Sequence, residues 1–102
     1  GELSPAVESA TYRIAQESVT NARRHARNAT RIDVQVVGDG DAVRLTVRDD
    51  GAPVHASSVA AGFGVVGMTE RAALLGGTLA AGPGPDNGWV VDAVLPRAAP
   101  SR

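Results

Sequence analysis

The sequence has no cysteine, and it has only one Phe, one Trp and one Tyr among its 102 residues. The missing cysteine excludes disulfide bonds and thiolate metal sites. Because aromatic residues are so few, a core must be built from Val, Leu, Ile and Ala. No charge of one sign dominates, and the formal net charge is −1. This balance argues against nucleic acid or an anionic membrane as the main partner.

Long apolar runs are also missing, since none approaches the ~20 residues that a membrane-spanning helix needs. A chain of 102 residues can form one domain with a single modest core. We expect this domain over residues 1–96 and a disordered tail over residues 97–102. The abrupt start at Gly1 suggests a piece of a longer protein, cut at its N-terminal side.

The first half of the chain predicts a helix followed by a hairpin. A helical pattern runs from about Pro5 to Ala26. Its expected apolar stripe consists of Tyr12, Ala15, Val19, Ala22 and Ala26. In residues 31–48, apolar residues alternate with other residues on both sides of a Gly-Asp-Gly-Asp turn. This pattern predicts an antiparallel hairpin. The buried face of this hairpin is expected to include Ile32, Val34 and Val36 on its first strand.

The remaining chain repeats this order after a loop of small residues at 52–61. A helix is predicted over residues 65–75, and a second hairpin pairs residues 78–81 with residues 89–95. The order is therefore helix, two strands, loop, helix, two strands. It predicts an α+β fold of two layers, with the helices on one face of a mainly antiparallel sheet.

A glycine triplet, Gly62, Gly64 and Gly67, leads directly into the second helix. Glycines at this spacing let the backbone bend while its N–H groups point to one spot, which suits a phosphate at a helix N-terminus. The alternative is a flexible loop without a ligand. The spacing also matches a dinucleotide-binding fingerprint, but that motif must directly follow a strand. The nearest strand ends near Arg48, so we reject it.

Polar residues on the first helix and at the end of the first hairpin could complete such a site. Glu17 and Asn21 lie one helical turn apart, and Asn21 is placed at the shoulder of the apolar stripe. Glu17 could instead be an ordinary solvated residue. Asp49, in the Asp-Asp-Gly turn, could accept a hydrogen bond from a nucleobase amino group, or the dipeptide could simply form a turn. His25 and His55 lack metal-ligand partners at suitable spacing.

Three motifs in this order resemble those of two-component sensor histidine kinases, in the group related to nitrate and desaturase sensors. Residues 12–26 resemble the N box, residues 49–51 the start of the Asp-x-Gly-x-Gly box, and residues 62–72 the second glycine box. The segment 74–79 and the closing Leu95-Pro96 also match. The resemblance spans roughly residues 3–96. It implies a Bergerat-type ATP-binding domain that uses ATP and Mg²⁺.

The resemblance also implies roles for individual residues. Asn21 would coordinate Mg²⁺, and Glu17 would order the water of the metal or the attacking group. Asp49 would accept a hydrogen bond from the adenine amino group. The other nucleotide-binding residues that it implies are Arg24 and His25 near the phosphates, Gly51 beside the base, and Gly62, Gly64, Val65, Gly67 and Met68 in the phosphate loop and lid.

Two residues depart from the family pattern. Pro53 stands where the first glycine box usually has its second glycine, and Trp89 stands where the broader family often has threonine. Proline removes an N–H group and fixes φ, while Trp89 lacks the hydroxyl of threonine. Both departures bear on nucleotide affinity, and neither removes the expected metal ligand.

The leading hypothesis is the catalytic domain of a sensor histidine kinase, which passes the γ-phosphoryl group of ATP to a histidine on a separate dimerisation domain. The expected partners are this domain of the same parent, a response regulator, and a second parent copy in a homodimer. We expect a cytoplasmic location, with no direct membrane or nucleic-acid contact, even if the parent is membrane-anchored. The alternatives are a degenerate nucleotide-sensing module and an anti-sigma-type serine kinase on the same fold.

Overall fold

The computed structural model describes residues 3–25, 31–51, 58–84 and 88–98, with the backbone alone for residues 24, 25, 39 and 58–64. It contains two helices and four strands in the predicted order. These are α1 (Pro5–His25), β1 (Ile32–Asp39), β2 (Ala42–Asp49), α2 (Ser58–Leu74), β3 (Thr78–Pro83) and β4 (Trp89–Pro96). The α+β class is confirmed.

The four strands form one antiparallel sheet in the order β1-β2-β4-β3. The turn between β1 and β2 lies at Gly40-Asp41, where Gly40 has a φ of 63°. This left-handed conformation suits glycine, which has no Cβ to collide with its own backbone. The last strand, β4, pairs with both β2 and β3 and so joins the two hairpins into one sheet.

Both helices cover the same face of the sheet, and one aliphatic core fills the space between the layers, as predicted. Leu45 on β2, Ile14 on α1 and Leu95 on β4 are each at most 1% exposed. Small residues such as Ala72 and Ala93 complete this core and allow the helices to lie close to the sheet. No helix within the described ranges has both the length and the apolar character needed to cross a membrane.

The opposite face of the sheet carries an ion pair between β2 and β4. Arg44 donates two hydrogen bonds to Asp92, from Nε at 2.9 Å and from Nη2 at 2.7 Å. These hydrogen bonds and the positive charge of Arg44 lower the pKa of Asp92 below its ordinary value, although partial burial opposes the shift. The ion pair is therefore strongest when Asp92 is ionised.

The predicted apolar stripe of α1 was right for Ala22, which is buried, and for Ala15 and Val19, which pack half-buried against the core, but it was wrong for Tyr12. Tyr12 is 66% exposed, whereas Thr11 and Ser18 are buried. Thr11 donates its hydroxyl hydrogen bond to the carbonyl of Val7 at 2.8 Å, and Ser18 donates to the sulfur of Met68 at 3.3 Å. With partners inside the protein, these hydroxyls can be buried at little cost. A stripe traced from apolar residues alone could not include them.

The predicted buried face of the first hairpin was half right. On β2, Val43, Leu45 and Val47 are buried, as their alternation indicated. On β1, Ile32 packs half-buried against the core, but Val34 is 48% and Val36 is 52% exposed. The physical reason is position, because β1 is an edge strand and the helices pack mainly over the other three strands.

The second helix begins earlier than predicted. The sequence indicated a loop over residues 52–61 and a helix from Val65, but α2 already begins at Ser58. Its glycine triplet therefore lies inside a helix. The Ala60-Ala61 pair precedes the triplet, and alanine is the strongest helix former, which offsets part of the ~1 kcal/mol that each glycine costs. The rest of the predicted loop, residues 52–57, lies outside the described residues.

The C-terminal end is tied to the first turn and to the start of α1. Arg97 donates its backbone N–H to the carbonyl of Asp41 at 3.0 Å, and its Nε to the carbonyl of Gly40 at 2.8 Å. Its own carbonyl accepts the N–H of Ser4 at 2.9 Å. Backbone hydrogen bonds to the rest of the fold thus continue past Pro96 to Arg97. Residues 99–102 of the predicted tail lie outside the described residues.

Candidate nucleotide site

A buried carboxylate lies at the end of β2, where the chain leaves the sheet. Asp49 is only 5% exposed, and its Oδ1 accepts the backbone N–H of Gly51 at 2.8 Å. This Asx-type hydrogen bond turns the chain and fixes the orientation of the carboxylate. Asp49 is the only buried acidic residue within the described part of the chain. A buried charge requires hydrogen-bond partners, so the site suits a ligand that donates to it.

Gly88, the residue directly before β4, packs against Asp49, and the sequence reasoning missed it. Gly88 is buried, and its φ of 82° falls in the left-handed region. A Cβ at this position would collide with the carbonyl oxygen of Asp49 and would lie 3.2 Å from Asp49 Oδ1. The Asn-Gly dipeptide at 87–88 signalled a turn. It gave no sign that Gly88 packs against Asp49.

The two residues of α1 that were predicted to serve the metal differ in burial. Glu17 is exposed, whereas Asn21, one turn later, is half-buried. Next to them, Ser18 donates its hydroxyl to the sulfur of Met68 and so connects α1 with α2 over the core. Arg24 and His25 occupy the last turn of α1. Only their backbone is described, so their predicted contact with phosphate is untested.

The glycine-rich segment has a different conformation from the one we predicted. Gly62, Gly64 and Gly67 are all helical. In a helix from Ser58, amides beyond the first turn donate to carbonyls four residues back, so they form no loop of free donors. Val65 is half-buried against the core, and Met68 is 2% exposed. The binding roles predicted for these residues remain predictions.

Gly67 is a helix residue whose lack of a side chain has no packing role. It is exposed, and a Cβ placed on it would meet no atom within 4 Å. Exposed helical glycine is less favourable than alanine by about 1 kcal/mol. Glycine at position 67 therefore does not stabilise the helix.

The oxygen atoms that the described residues offer suit a metal ion that is held mainly by a bound nucleotide. No three His, Asp or Glu side chains of the described ranges come together as a metal site. Mg²⁺ usually binds through one or two protein oxygens, with phosphate oxygens and waters completing its octahedron. Asn21 offers one such amide oxygen, and Glu17 a carboxylate one turn away. These residues fit Mg²⁺ that arrives with a nucleotide.

Comparison with known proteins identifies the class to which this fold belongs. Residues 6–99 match the family described as histidine kinase-, DNA gyrase B- and HSP90-like ATPases. This match covers most of the chain. The chain belongs to this ATPase family.

Individual relatives point to one branch of that family. The chain is 36% identical over 77 residues to the signal transduction histidine-protein kinase/phosphatase UhpB of Salmonella typhimurium, covering 76% of the chain and 15% of that protein. It is 36% identical over 92 residues to the sensor histidine kinase YxjM of Bacillus subtilis, covering 90% of the chain and 22% of that protein.

A third relative is the histidine-protein kinase/phosphatase DegS of Bacillus subtilis, with 37% identity over 81 residues, covering 76% of the chain and 21% of that protein. The chain thus spans about a fifth or less of the length of these relatives. The similarities support the interpretation of the chain as the ATP-binding catalytic domain of a sensor histidine kinase. The narrower resemblance to nitrate and desaturase sensors stays a prediction.

Proposed function

We propose that this domain binds ATP with Mg²⁺ and presents the γ-phosphoryl group to a histidine on a separate dimerisation domain of the same parent protein. The observation that carries the proposal is Asp49, a buried carboxylate fixed at a strand end. Membership of the ATPase family and the similarity to sensor kinases support the same function. The parent would act as a homodimer, and a response regulator would receive the phosphoryl group from the histidine.

The role of Asp49 follows from its geometry. Its Oδ1 is engaged by the N–H of Gly51, and a carboxylate has several lone pairs, so further donors can bind it. The exocyclic amino group of adenine is such a donor. A hydrogen bond to a buried charged acceptor is worth about 1.5–3 kcal/mol. Asp49 would therefore select a base that carries an amino group at its edge.

The role of α1 is to bring oxygen ligands to the metal. Phosphoryl transfer depends mainly on positioning and on neutralising charge at the phosphates. Bound Mg²⁺ would supply that positive charge between the phosphate oxygens. In our proposal the amide oxygen of Asn21 binds the metal, while Glu17 accepts a hydrogen bond from one of its waters. The exposure of Glu17 is compatible with an outer role of this kind.

The proposed phosphoacceptor lies outside this chain. His25 closes α1, the helix that we assign to the nucleotide, and so it is poorly suited to accept a phosphoryl group. Incubation of the 102-residue chain with γ-labelled ATP should therefore leave His25 and His55 unlabelled. Label that disappears in the His25→Ala or His55→Ala variant would contradict the two-domain mechanism. Acid-stable label on an added protein would instead favour a serine kinase.

The decisive test of nucleotide binding is the Asp49→Asn variant. Asparagine retains an oxygen that can accept the N–H of Gly51, so the turn can persist, but its amide group repels the amino group of adenine. We expect ADP affinity to fall roughly 10- to 150-fold by calorimetry. Asp50→Asn is the matched control, since the exposed Asp50 accepts instead the N–H of Arg31, at 3.0 Å. Folding of both variants is checked by circular dichroism.

Two outcomes would contradict the proposal in different ways. Unchanged ADP affinity in a folded Asp49→Asn variant would remove the adenine role from Asp49. An unmodified chain that binds neither ADP nor Mg²⁺-ATP would contradict nucleotide binding altogether. Binding without transfer to any phosphoacceptor domain would favour the nucleotide-sensing module.

A further inference from the structure

Two buried hydroxyl groups of α1 form hydrogen bonds of different kinds. Thr11 donates to the carbonyl of Val7 at 2.8 Å, so its hydrogen bond stays within the helix. Ser18 donates instead to the sulfur of Met68 on α2, at 3.3 Å. A helical hydroxyl can always be satisfied by a carbonyl of the preceding turn, and a thioether sulfur is only a weak acceptor. The hydrogen bond of Ser18 therefore does more than satisfy a buried hydroxyl, because it joins two helices.

The acceptor of this hydrogen bond is held in place by the core. Met68 belongs to the cluster of buried residues between the helices and the sheet, and both Met68 and Ser18 are 2% exposed. A close-packed interior leaves a side chain in such a cluster little freedom to move. The hydrogen bond from Ser18 therefore fixes this turn of α1 against α2, both in rotation about the helix axis and in position along it.

The two helices run in opposite directions over the sheet. α1 begins beside the turn between β1 and β2, because Ser4 and that turn both form backbone hydrogen bonds with Arg97. α2 ends at the same end of the sheet, since β3 follows it at Thr78, which pairs with Val94 near the end of β4. Asp49 closes β2 at the opposite end. The last turns of α1 and the first turns of α2 therefore both lie towards Asp49.

Asn21 lies one turn beyond Ser18 on α1, in the direction of Asp49. Residues three apart on a helix are neighbours on one side of it, and Asn21 is half-buried. The helix ends soon afterwards, at His25. Helix ends fray unless contacts outside the helix hold them. The contact that holds Ser18 therefore also determines where the amide group of Asn21 lies.

We propose that Ser18 is a positioning residue, which holds the amide oxygen of Asn21 at the metal through its hydrogen bond to Met68. This role rests on the proposed binding of Mg²⁺-ATP. Mg²⁺ requires a nearly ideal octahedron with oxygens at about 2.0–2.1 Å, so a small displacement of one oxygen ligand weakens its binding. A base held by Asp49 places no such requirement on α1. Loss of the hydrogen bond should therefore reduce the metal-dependent part of nucleotide binding and leave the rest unchanged.

The experiment measures the Mg²⁺ enhancement, which is the ratio of the ATP affinity with Mg²⁺ to the ATP affinity without it, by calorimetry. Ser18→Ala removes only the hydroxyl group. It should lower the Mg²⁺ enhancement roughly 2- to 10-fold, the range that one neutral hydrogen bond gives. The affinity for metal-free ADP should stay the same, because it does not involve the metal ligand. Circular dichroism checks that each variant is folded.

Further variants separate the hydrogen bond from packing. Met68→Leu removes the acceptor at nearly constant volume, so it should lower the enhancement as Ser18→Ala does. The double variant should lose no more than either single variant, because both remove the same hydrogen bond. Thr11→Val is the matched control, since it also deletes a buried hydroxyl of α1, but one that bonds within the helix, about 15 Å along the axis from Asn21. It should retain the full enhancement.

Three results would overturn the positioning role while leaving nucleotide binding intact. The first is an unchanged Mg²⁺ enhancement in folded Ser18→Ala. The second is an equal loss of affinity for Mg²⁺-ATP and for metal-free ADP, which a purely structural contact would give. The third is a further loss of enhancement when Ser18→Ala is added to Asn21→Ala, since Ser18 would then not act through Asn21.

Failure of the proposed function has a different signature. If the unmodified chain binds no nucleotide, or binds ATP without any Mg²⁺ enhancement, the proposed Mg²⁺-ATP site is wrong and the positioning role is wrong with it. If Ser18→Ala does not fold, Met68→Leu decides the question in the same assay.

Discussion

Substitution of Gly88 by alanine should damage both stability and nucleotide binding, for two separable reasons. The residue has a left-handed φ of 82°, and a Cβ would collide with the carbonyl oxygen of Asp49. A non-glycine residue in the left-handed region costs roughly 1–2 kcal/mol. Overpacking against backbone that cannot move freely costs about 1–3 kcal/mol. We therefore expect Gly88→Ala to lower the free energy of unfolding by about 3 kcal/mol.

Three other glycines separate these two causes. Gly40 has a φ of 63° but open space around its Cβ position, so Gly40→Ala measures the backbone term alone. A Cβ on Gly77 would collide with the carbonyl of Val94 without a left-handed φ, so Gly77→Ala measures the collision alone. Gly82 has neither feature, and alanine there should be neutral or stabilising by roughly 0.4–1 kcal/mol.

The assay is urea denaturation followed by circular dichroism, with ADP calorimetry on each folded variant. Tryptophan emission is avoided as a probe of unfolding because Trp89 adjoins Gly88. Only Gly88→Ala should also weaken ADP binding, since it alone displaces Asp49. Equal destabilisation of Gly88→Ala and Gly40→Ala would show that the collision is absent. Normal ADP affinity in folded Gly88→Ala would show that Gly88 does not position the carboxylate.

Three further predictions concern the metal, the core and pH. Asn21→Ala should remove most of the Mg²⁺ dependence of ATP binding while metal-free ADP binding changes little; equal losses in calorimetry with and without Mg²⁺ would assign it a structural role. Leu45 and Val36 are cross-strand partners, but Leu45 is 1% exposed and Val36 is 52% exposed. Leu45→Ala should therefore lower the free energy of unfolding by about 2–5 kcal/mol, and Val36→Ala by less than about 0.5 kcal/mol. Urea titration of both variants measures the difference. The pKa of Asp92 is lowered in the folded state, so its pair with Arg44 stabilises the fold above the ordinary aspartate pKa, and this contribution is lost as pH falls through the lowered value. Because the pair is partly exposed, Arg44→Met should lower the free energy of unfolding by about 1 kcal/mol or less at neutral pH. In urea titrations repeated at decreasing pH, this loss should vanish at the most acidic pH. An equal loss at neutral and acidic pH would refute the linkage.

Much of the candidate site could be read from local sequence. The Asp-Asp-Gly turn at a strand end, the helical spacing of Glu17 and Asn21, and the motif order all depend on short-range rules. Turn chemistry and strand alternation act over a few residues, so β2, β4 and the bounds of α1 were predicted closely. The pairing of Asp49 with Gly51 is also local, because an aspartate can bond to the backbone two residues on.

The tertiary structure decided what depends on neighbours distant in sequence. Val34 alternates as a buried strand residue does, but its burial depends on whether a helix covers the edge of the sheet. Thr11 and Ser18 could be buried only because Val7 and Met68 accept their hydrogen bonds. Gly88 is separated from Asp49 by some forty residues, and only the pairing of β2 with β4 brings it beside Asp49. The sequence by itself thus determined the elements and the likeness to an ATPase family, while the packing of strands and helices determined which side chains surround the buried carboxylate.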